Sequence, residues 1–379
     1  MSNINPKLIF AVATDPIYIG TGGYTIGRVD NTIVRDPITK IPKIPGSSLA
    51  GTWRYFVTLE LISKVKDHQP DFNSIKNRNE ETLEEKIKAE PWKNDFNQIK
   101  WLSYFGNKVA KITCAGQDNV PTAYINSPDA TNKEGKTGHC GHCIVCKSFG
   151  YSKKNKSWQG MLFFSDLNIL FFPVYTRLGT KWITSMRILK ESGLINNLEN
   201  KEEKDIVFAQ VQIEEGKETG SINLGWLYLP YKIETFSIDL SKIKDETFEL
   251  KPRDIIIVPD SLISQIINSN LEVRTSVSID PITGAAKEGA LFTSEAIPRG
   301  TIFWGEIRVF DKENLGDDNL PSKKYIYEAL EDTKKYYETL GIGGMTTRGF
   351  GRMKILTSLK EEAKSENTTK GGDSNGNQS

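Results

Sequence analysis

One stretch, VDNTIVRDPITKIPKIPGSSLAGTWRYF at residues 29–56, constrains the fold more than any other, because two turns and a helix start must fit within it. Asp36-Pro37 predicts a turn, since the proline ring presets φ and the aspartate side chain bonds the backbone two residues on. A second turn follows at Pro45-Gly46. Ser47 or Ser48 then predicts the N-cap of a helix with Leu49, Trp53, Phe56, Leu59 and Ile62 at helical spacing. Upstream, Asp30 stands between a glycine-rich lead-in (Gly20, Gly22, Gly23, Gly27) and the β-branched run Thr32 to Val34, which puts a carboxylate at a loop edge. The helix start predicts an anion site, because free N–H groups, two hydroxyls and the dipole point outward and Arg54 adds a guanidinium. Phosphate is the natural guest.

The rest of the chain alternates strands, helices and polar inserts. Lys7 to Thr14 predicts a core strand, and Lys64 to about Lys100 a charged helical insertion. Residues 113–150 are loop-rich and carry all four cysteines. Strands follow from Met161 to Val174, then a turn at Gly179 where Arg177 and Lys181 alternate with Tyr175 and Trp182. Residues 196–220 read as a polar surface insertion, and 254–268 as a short strand and a helix. A long hairpin is expected from Val273 to Trp304, a helix from Tyr325 to Leu340, and a glycine-rich loop, GIGGMTTRGFGR, leading into a last strand. Beyond Ser358 the sequence has almost no apolar content and predicts disorder. Antiparallel hairpins among helices argue for an α+β fold, and a βαββαβ ferredoxin-like core suits the order.

Net charge is +1, so any nucleic-acid surface must be local. No apolar run is long enough to span a membrane and the first residues lack the order of a signal peptide, so a cytoplasmic location without membrane contact is expected. Cys140, Cys143 and Cys146 fall within seven residues, a spacing that suits a structural zinc ion better than disulfides. His139 is favoured as the fourth ligand, with His142 and Cys114 as alternatives. The glycine-rich loop has no Lys-Ser or Lys-Thr, which excludes a Walker A motif, yet it permits close backbone approach to a polyanion, with Arg348 and Arg352 supplying charge. With only three histidines, a histidine-based triad or ribonuclease pair is hard to assemble.

Together, GRVDNTIVRDPITKIPKIPGSSLAGTWR, the hairpin SIDPITGAAKEGALFTSEAIPRGTIF, the cysteine cluster running into Lys147 to Gly150, and GIGGMTTRGFGR resemble the RAMP superfamily. More narrowly, they resemble the Cas-seven-type backbone subunits of type III CRISPR effector complexes. The resemblance implies a ferredoxin-like or RRM-like palm over residues 1–357, a β-hairpin thumb near 273–291, helical finger insertions near 64–112 and 196–220, and a zinc-stapled loop within 113–150. Residues 358–379 form the tail. It also implies polymerisation along a CRISPR RNA, with Gly46, Ser47, Ser48 and Arg54, and the glycine-rich loop with Arg348 and Arg352, holding the guide. Arg35, Arg177 and Lys181 join them as expected RNA contacts. Asp30 matches the position of the family's target-cleaving aspartate, so target RNA, a divalent cation such as Mg2+, further copies of the chain and other type III effector subunits are the implied partners. Two other readings stand beside this one: a backbone copy that has lost cleavage, and a stand-alone guide-processing endoribonuclease. One departure is Ala50, where the family motif carries lysine.

Overall fold

The computed structural model describes residues 6–22, 29–66, 112–116, 139, 141, 143–152, 157–195, 207–209, 219–244, 249–311 and 320–360. The expected insertions at about 64–112 and 196–220 lie largely outside these residues, and the expected disordered tail almost wholly so. His68, Cys140, His142, the lysines at 153, 154 and 156, Gly23 and Gly27 lie outside them too.

The architecture is mixed α/β, built on one large sheet of eleven strands. Its first four positions are β13 (Met353–Ile355), β1 (Lys7–Ala13), β12 (Ile302–Val309) and β4 (Leu167–Thr176), each antiparallel to its neighbour. Helix α1 (Gly46–Lys66) lies between β1 and β4 in the chain, and α5 (Lys323–Thr333) and α6 (Lys335–Thr339) lie between β12 and β13. The chain order of these elements is therefore β–α–β–β–α–β. Five strands extend the sheet beyond β4: β5 (Gly179–Thr184), β9 (Ile255–Ile257), β6 (Val207–Ala209), β8 (Leu227–Ile233) and β7 (Thr219–Leu224). Short strands β2 (Lys43–Ile44) and β3 (Leu162–Phe164) pair with β4 and β12. Helices α2 (Ile144–Phe149), α3 (Met186–Glu191) and α4 (Asp260–Ser269) fall between α1 and the two-stranded ribbon described below.

Ile9 to Ala13 of β1 are buried without alternation, as expected of a central strand covered on both faces. Helix α1 packs by Leu49, Trp53, Phe56, Val57 and Leu61, all buried. Leu59 and Ile62 are only partly buried, so the apolar stripe is centred one residue away from the expected one. Trp53 sits edge-on to Tyr337, with ring centroids 5.3 Å apart, and its indole N–H donates to Leu330 O at 3.2 Å and Thr333 Oγ1 at 3.1 Å. The expected helix at 325–340 is two helices meeting at Lys334. Thr333 Oγ1 donates back to Ala329 O at 2.8 Å, a competing bond that favours a bend there.

Helix α1 begins earlier than expected. Gly46 is its first residue, and its N–H donates to Asp166 Oδ1 at 2.8 Å. A carboxylate from a distant loop thus takes the capping role expected of Ser47 or Ser48. Only glycine fits there, because a Cβ would lie 2.7 Å from Phe164 O.

The expected hairpin divides in two. Strands β10 (Glu272–Ile279) and β11 (Ala286–Ala296) form a separate two-stranded ribbon, while Ile302 onward leaves it to become β12 of the main sheet. The ribbon turn repeats the Asp36 turn in detail. Asp36 Oδ1 accepts from Ile38 N at 3.0 Å and Thr39 N at 2.9 Å; Asp280 Oδ1 accepts from Ile282 N at 2.7 Å and Thr283 N at 3.2 Å. Each turn leaves its isoleucine almost fully exposed, at 88% for Ile38 and 93% for Ile282.

Candidate functional site

The loop carrying Asp30 is laid along ribbon strand β11. Asn31 N donates to Thr293 O, Glu295 N donates to Asn31 O, both at 3.0 Å, and Asn31 Nδ2 donates to Ser294 Oγ at 3.2 Å. Asp30 itself is exposed. Its Oδ2 accepts from Thr293 N at 2.7 Å and from Thr293 Oγ1 at 3.0 Å, and Asp30 N donates to Thr293 Oγ1 at 3.1 Å. The Thr293 backbone and hydroxyl bonds favour the anion and hold the Asp30 carboxyl below its ordinary pKa. Further along, Arg35 bridges Glu295 at 2.7 Å, Asn268 Oδ1 at 2.8 Å and Ile33 O at 3.0 Å. Arg35, expected to contact RNA, has its guanidinium fastening the loop to β11 and to α4.

Asp36 then closes the turn toward α1. The Thr39 and Ile38 N–H groups and the Lys43 ammonium draw its pKa down to about 2. Lys43 also bridges Asp166 at 2.6 Å, joining this turn to the cap of α1.

The outward face of α1 meets the glycine-rich loop. Gly51, Thr52 and Tyr55 of the helix, with Leu340, Gly341, Gly343 and Thr346, line a cleft of about 440 Å³. Ser48 lies one turn before Gly51 and Thr52 on this face, half-buried, while Ser47 is exposed. The loop is zipped to the segment after β1: Gly344 N donates to Tyr18 O at 3.0 Å and Gly351 N to Pro16 O at 2.8 Å. Gly343, at φ 85°, is obligatory there, because a Cβ would lie 2.3 Å from Tyr18 O. Arg348 is exposed at the loop tip. Arg352 is ion-paired with Asp15, through Nε and through Nη2 at 3.0 Å, so its charge is partly spent within the fold. From the ribbon, Arg274 lies over the Phe350 ring at 4.7 Å and donates to Gly349 O at 3.2 Å. The ribbon is thus rooted on both the Asp30 loop and the glycine-rich loop.

Arg54 points away from the helix start. Its Nε donates to Cys114 O at 2.7 Å and its Nη2 lies 3.0 Å from His139 Nδ1, which corrects its expected place beside an anion at Gly46. The sulfurs of Cys114, Cys143 and Cys146 are buried and lie within 4.8 Å of one another. Three converging thiols of that spacing fit a tetrahedral ion with little contraction. Cys114 therefore enters the set, from a short 3₁₀ turn at Ile112–Ala115, while α2 carries Cys146 and is capped by Cys143. His139 Nδ1 is 4.0 Å from Cys146 Sγ, but a guanidinium only donates, so that nitrogen's lone pair is engaged by Arg54.

Arg177 is exposed in the β4–β5 turn, its N–H donating to Asn223 Oδ1 at 2.9 Å. Lys181 on β5, the other RNA contact expected here, bridges Asp254 at 2.8 Å and donates to Arg253 O at 3.2 Å. Both belong to the end of the sheet beyond β4, away from β1 and β13, where the glycine-rich loop leads.

A sequence profile of the RAMP superfamily matches residues 11–354, which takes in the end of β1, the Asp30 loop, α1, the ribbon and the glycine-rich loop. The chain belongs to the RAMP superfamily. This RAMP chain is 26% identical over 232 residues to the Cmr endoribonuclease Cmr4 of Pyrococcus furiosus, a match spanning 57% of the chain and 75% of that relative. It is 42% identical over 63 residues to the endoribonuclease Csm3 of Enterococcus italicus, spanning 16% of this chain and 29%, under a third, of the relative's length. Its fold is similar to a chain in the cryo-EM structure of the type III-B Cmr-beta complex bound to cognate target RNA. There the TM-score is 0.51 at 14% identity, over 93% of this chain and 96% of the other. At that identity the likeness is one of fold.

Three residues of this RAMP site carried no usable signal in sequence. Asp166 caps α1 from 120 positions away, Thr293 meets Asp30 from 263 positions away, and Asp15 claims Arg352 from 337 away. The hairpin motif that contains Thr293 gives no hint of its partner, and neither do the residues around Asp166 and Asp15. Cys114 had a signal, as the one cysteine outside the cluster, but not enough to rank it above His139.

Proposed function

We propose that this RAMP protein is a guide-binding backbone subunit of a type III CRISPR effector and that it cleaves guide-complementary target RNA through Asp30. The observation that carries the reading is the Asp30 carboxylate, exposed at a loop edge with Oδ2 held by Thr293 and, among the described residues, no hydrogen bond to Oδ1. In this reading the β–α–β–β–α–β unit is a ferredoxin-like palm and the β10–β11 ribbon is the thumb. The cleft between α1 and the glycine-rich loop takes the guide backbone, with Ser47, Ser48, Arg348 and Arg352 as further contacts around it. The relatives' names, Cmr4 and Csm3 endoribonucleases, support the same assignment. Copies of the chain, related RAMP subunits and other type III subunits are its protein partners, and the cytoplasm is its place.

The chemistry is intramolecular. A ribose 2′-oxygen attacks the adjacent phosphorus, giving its proton to solvent water; the 2′-O–P bond forms as the P–O5′ bond breaks, and the departing 5′-oxygen takes a proton back from water, leaving a 2′,3′-cyclic phosphate and a 5′-hydroxyl. Asp30, held as an anion by its hydrogen bonds, is a better charge-holder than proton acceptor, because an efficient base has a pKa near the working pH. It would orient the 2′-hydroxyl by accepting its hydrogen bond. One protein carboxylate suits Mg2+, which is held by one or two carboxylates together with phosphate oxygens and water. Bound there, a divalent cation supplies neutralisation of the charge that develops on the phosphate. Cys114, Cys143 and Cys146 would hold a structural zinc that staples the 113–150 loop to α1 through Arg54.

Native purification of the assembly tests this reading. We expect bound RNA of uniform length and cutting of a complementary RNA at regular intervals when Mg2+ is added. An RNA-free assembly, or one that leaves the complementary strand whole, contradicts it.

A further inference from the structure

Two hydrogen bonds tie one oxygen of Asp30 to Thr293, and a third runs back from the Asp30 backbone to the same hydroxyl. The ring they form is reciprocal. Thr293 Oγ1 has one proton, which it gives to Oδ2, and it accepts the Asp30 N–H, so the hydroxyl both donates and accepts while Oδ2 accepts twice. The β-branched threonine is stiff at χ1, which fixes the direction of that hydroxyl. Two residues on, Glu295 repeats the arrangement by holding Arg35 at 2.7 Å and facing Ile33 N at 3.5 Å. The carboxylate is therefore oriented by β11 more than by its own loop.

We infer that Thr293 is a positioning residue for the proposed cleavage, holding Asp30 Oδ2 inward so that Oδ1 faces the RNA, and that the ribbon's seat on this loop governs cutting. The inference rests on the reading of Asp30 as the cleaving carboxylate. It divides the ribbon between two roles, because its outer end presents exposed Ile279 and Ile282 to whatever lies beyond while its root sets the reactive oxygen. Arg274, clamped on Gly349 and Phe350, steadies the partner strand and limits how far the root can shift without the glycine-rich loop.

The test uses the full assembly with its guide and three variants. Thr293→Val keeps the shape and the backbone N–H but removes both hydroxyl bonds; Thr293→Ser keeps them. We expect Thr293→Val to slow single-turnover cleavage about tenfold, the scale of a small misplacement of a reacting group, with target affinity unchanged. Thr293→Ser should restore the rate to within about twofold. Hydrogen exchange provides a readout independent of activity: the Asp30 amide should exchange faster in Thr293→Val and at the wild-type rate in Thr293→Ser. Asp30→Ala separates the two levels of the claim. If it cuts like wild type, the reading of Asp30 falls and this inference with it. If Asp30→Ala is inactive while Thr293→Val cuts at the wild-type rate, the inference alone is overturned. It is equally overturned if Thr293→Val loses target affinity in step with cleavage, since that marks a structural role for the ribbon.

Discussion

The two ends of the segment from Asp30 to Lys66 are held by opposite means. The helix end is held by burial: Trp53, Phe56, Val57 and Leu61 lie within the core, and Asp166 and Lys43 pin the first turn. The Asp30 end is held at the surface by hydrogen bonds to one ribbon strand and by a single Arg35–Glu295 pair. Binding a polyanion calls for a rigid wall, whereas cutting calls for one carboxylate in one orientation. Damage at the helix end should therefore appear as lost stability, and damage at the loop end as lost activity on an intact fold.

Substitutions can break that division, beginning with the largest effect. Trp53→Ala should cost about 3–5 kcal/mol, because a large ring leaves a cavity and two hydrogen bonds are lost; chemical denaturation measures it. A mild effect there would mean that the helix is not core-anchored. Cys114→Ser should release a zinc ion detectable by elemental analysis and lower stability by about 3 kcal/mol, the stabilisation expected of a ligand present at about 100 times its Kd. Retention of zinc by that variant would remove Cys114 from the set. Arg348→Ala should weaken guide binding evenly across sequences and reduce the salt slope of log K by about one unit, leaving the melting temperature unchanged.

The smallest effect concerns the turn between the two ends. Asp36 has a folded pKa of about 2, below the ordinary unfolded value of about 4. Its contribution is therefore complete above about pH 4 and is lost as pH falls toward about 2. Asp36→Asn should lower stability at neutral pH and flatten the acid limb of the stability curve between those values. An unchanged acid limb would show that Lys43 and the turn amides do little for this carboxylate.

What can be read from sequence is what is local. The Asp36 and Asp280 turns, the strand of β1 and the glycine-rich loop follow from proline, β-branched and glycine chemistry within a few residues, and each stands where expected. Expectation fails where a distant residue decides the outcome. Ser47 and Ser48 are good caps by composition, yet Asp166 reaches Gly46 first. Arg54 is one helical turn and more beyond the expected anion site, and the buried carbonyl of Cys114 and the ring of His139 claim it. Lys181 alternates with aromatics in a way that suggests RNA, but Asp254, just before a neighbouring strand, neutralises it. Charge partners brought by tertiary contacts leave no trace in spacing.

The proposed division between a binding end and a cutting end is tested most directly by Asp30→Ala in the guide-loaded assembly, with cleavage of complementary RNA and guide content measured on the same preparation. The expected result is a loss of cleavage of about 100-fold or more with guide content and assembly unchanged. Wild-type cleavage by that variant, or loss of the guide together with cleavage, would contradict it.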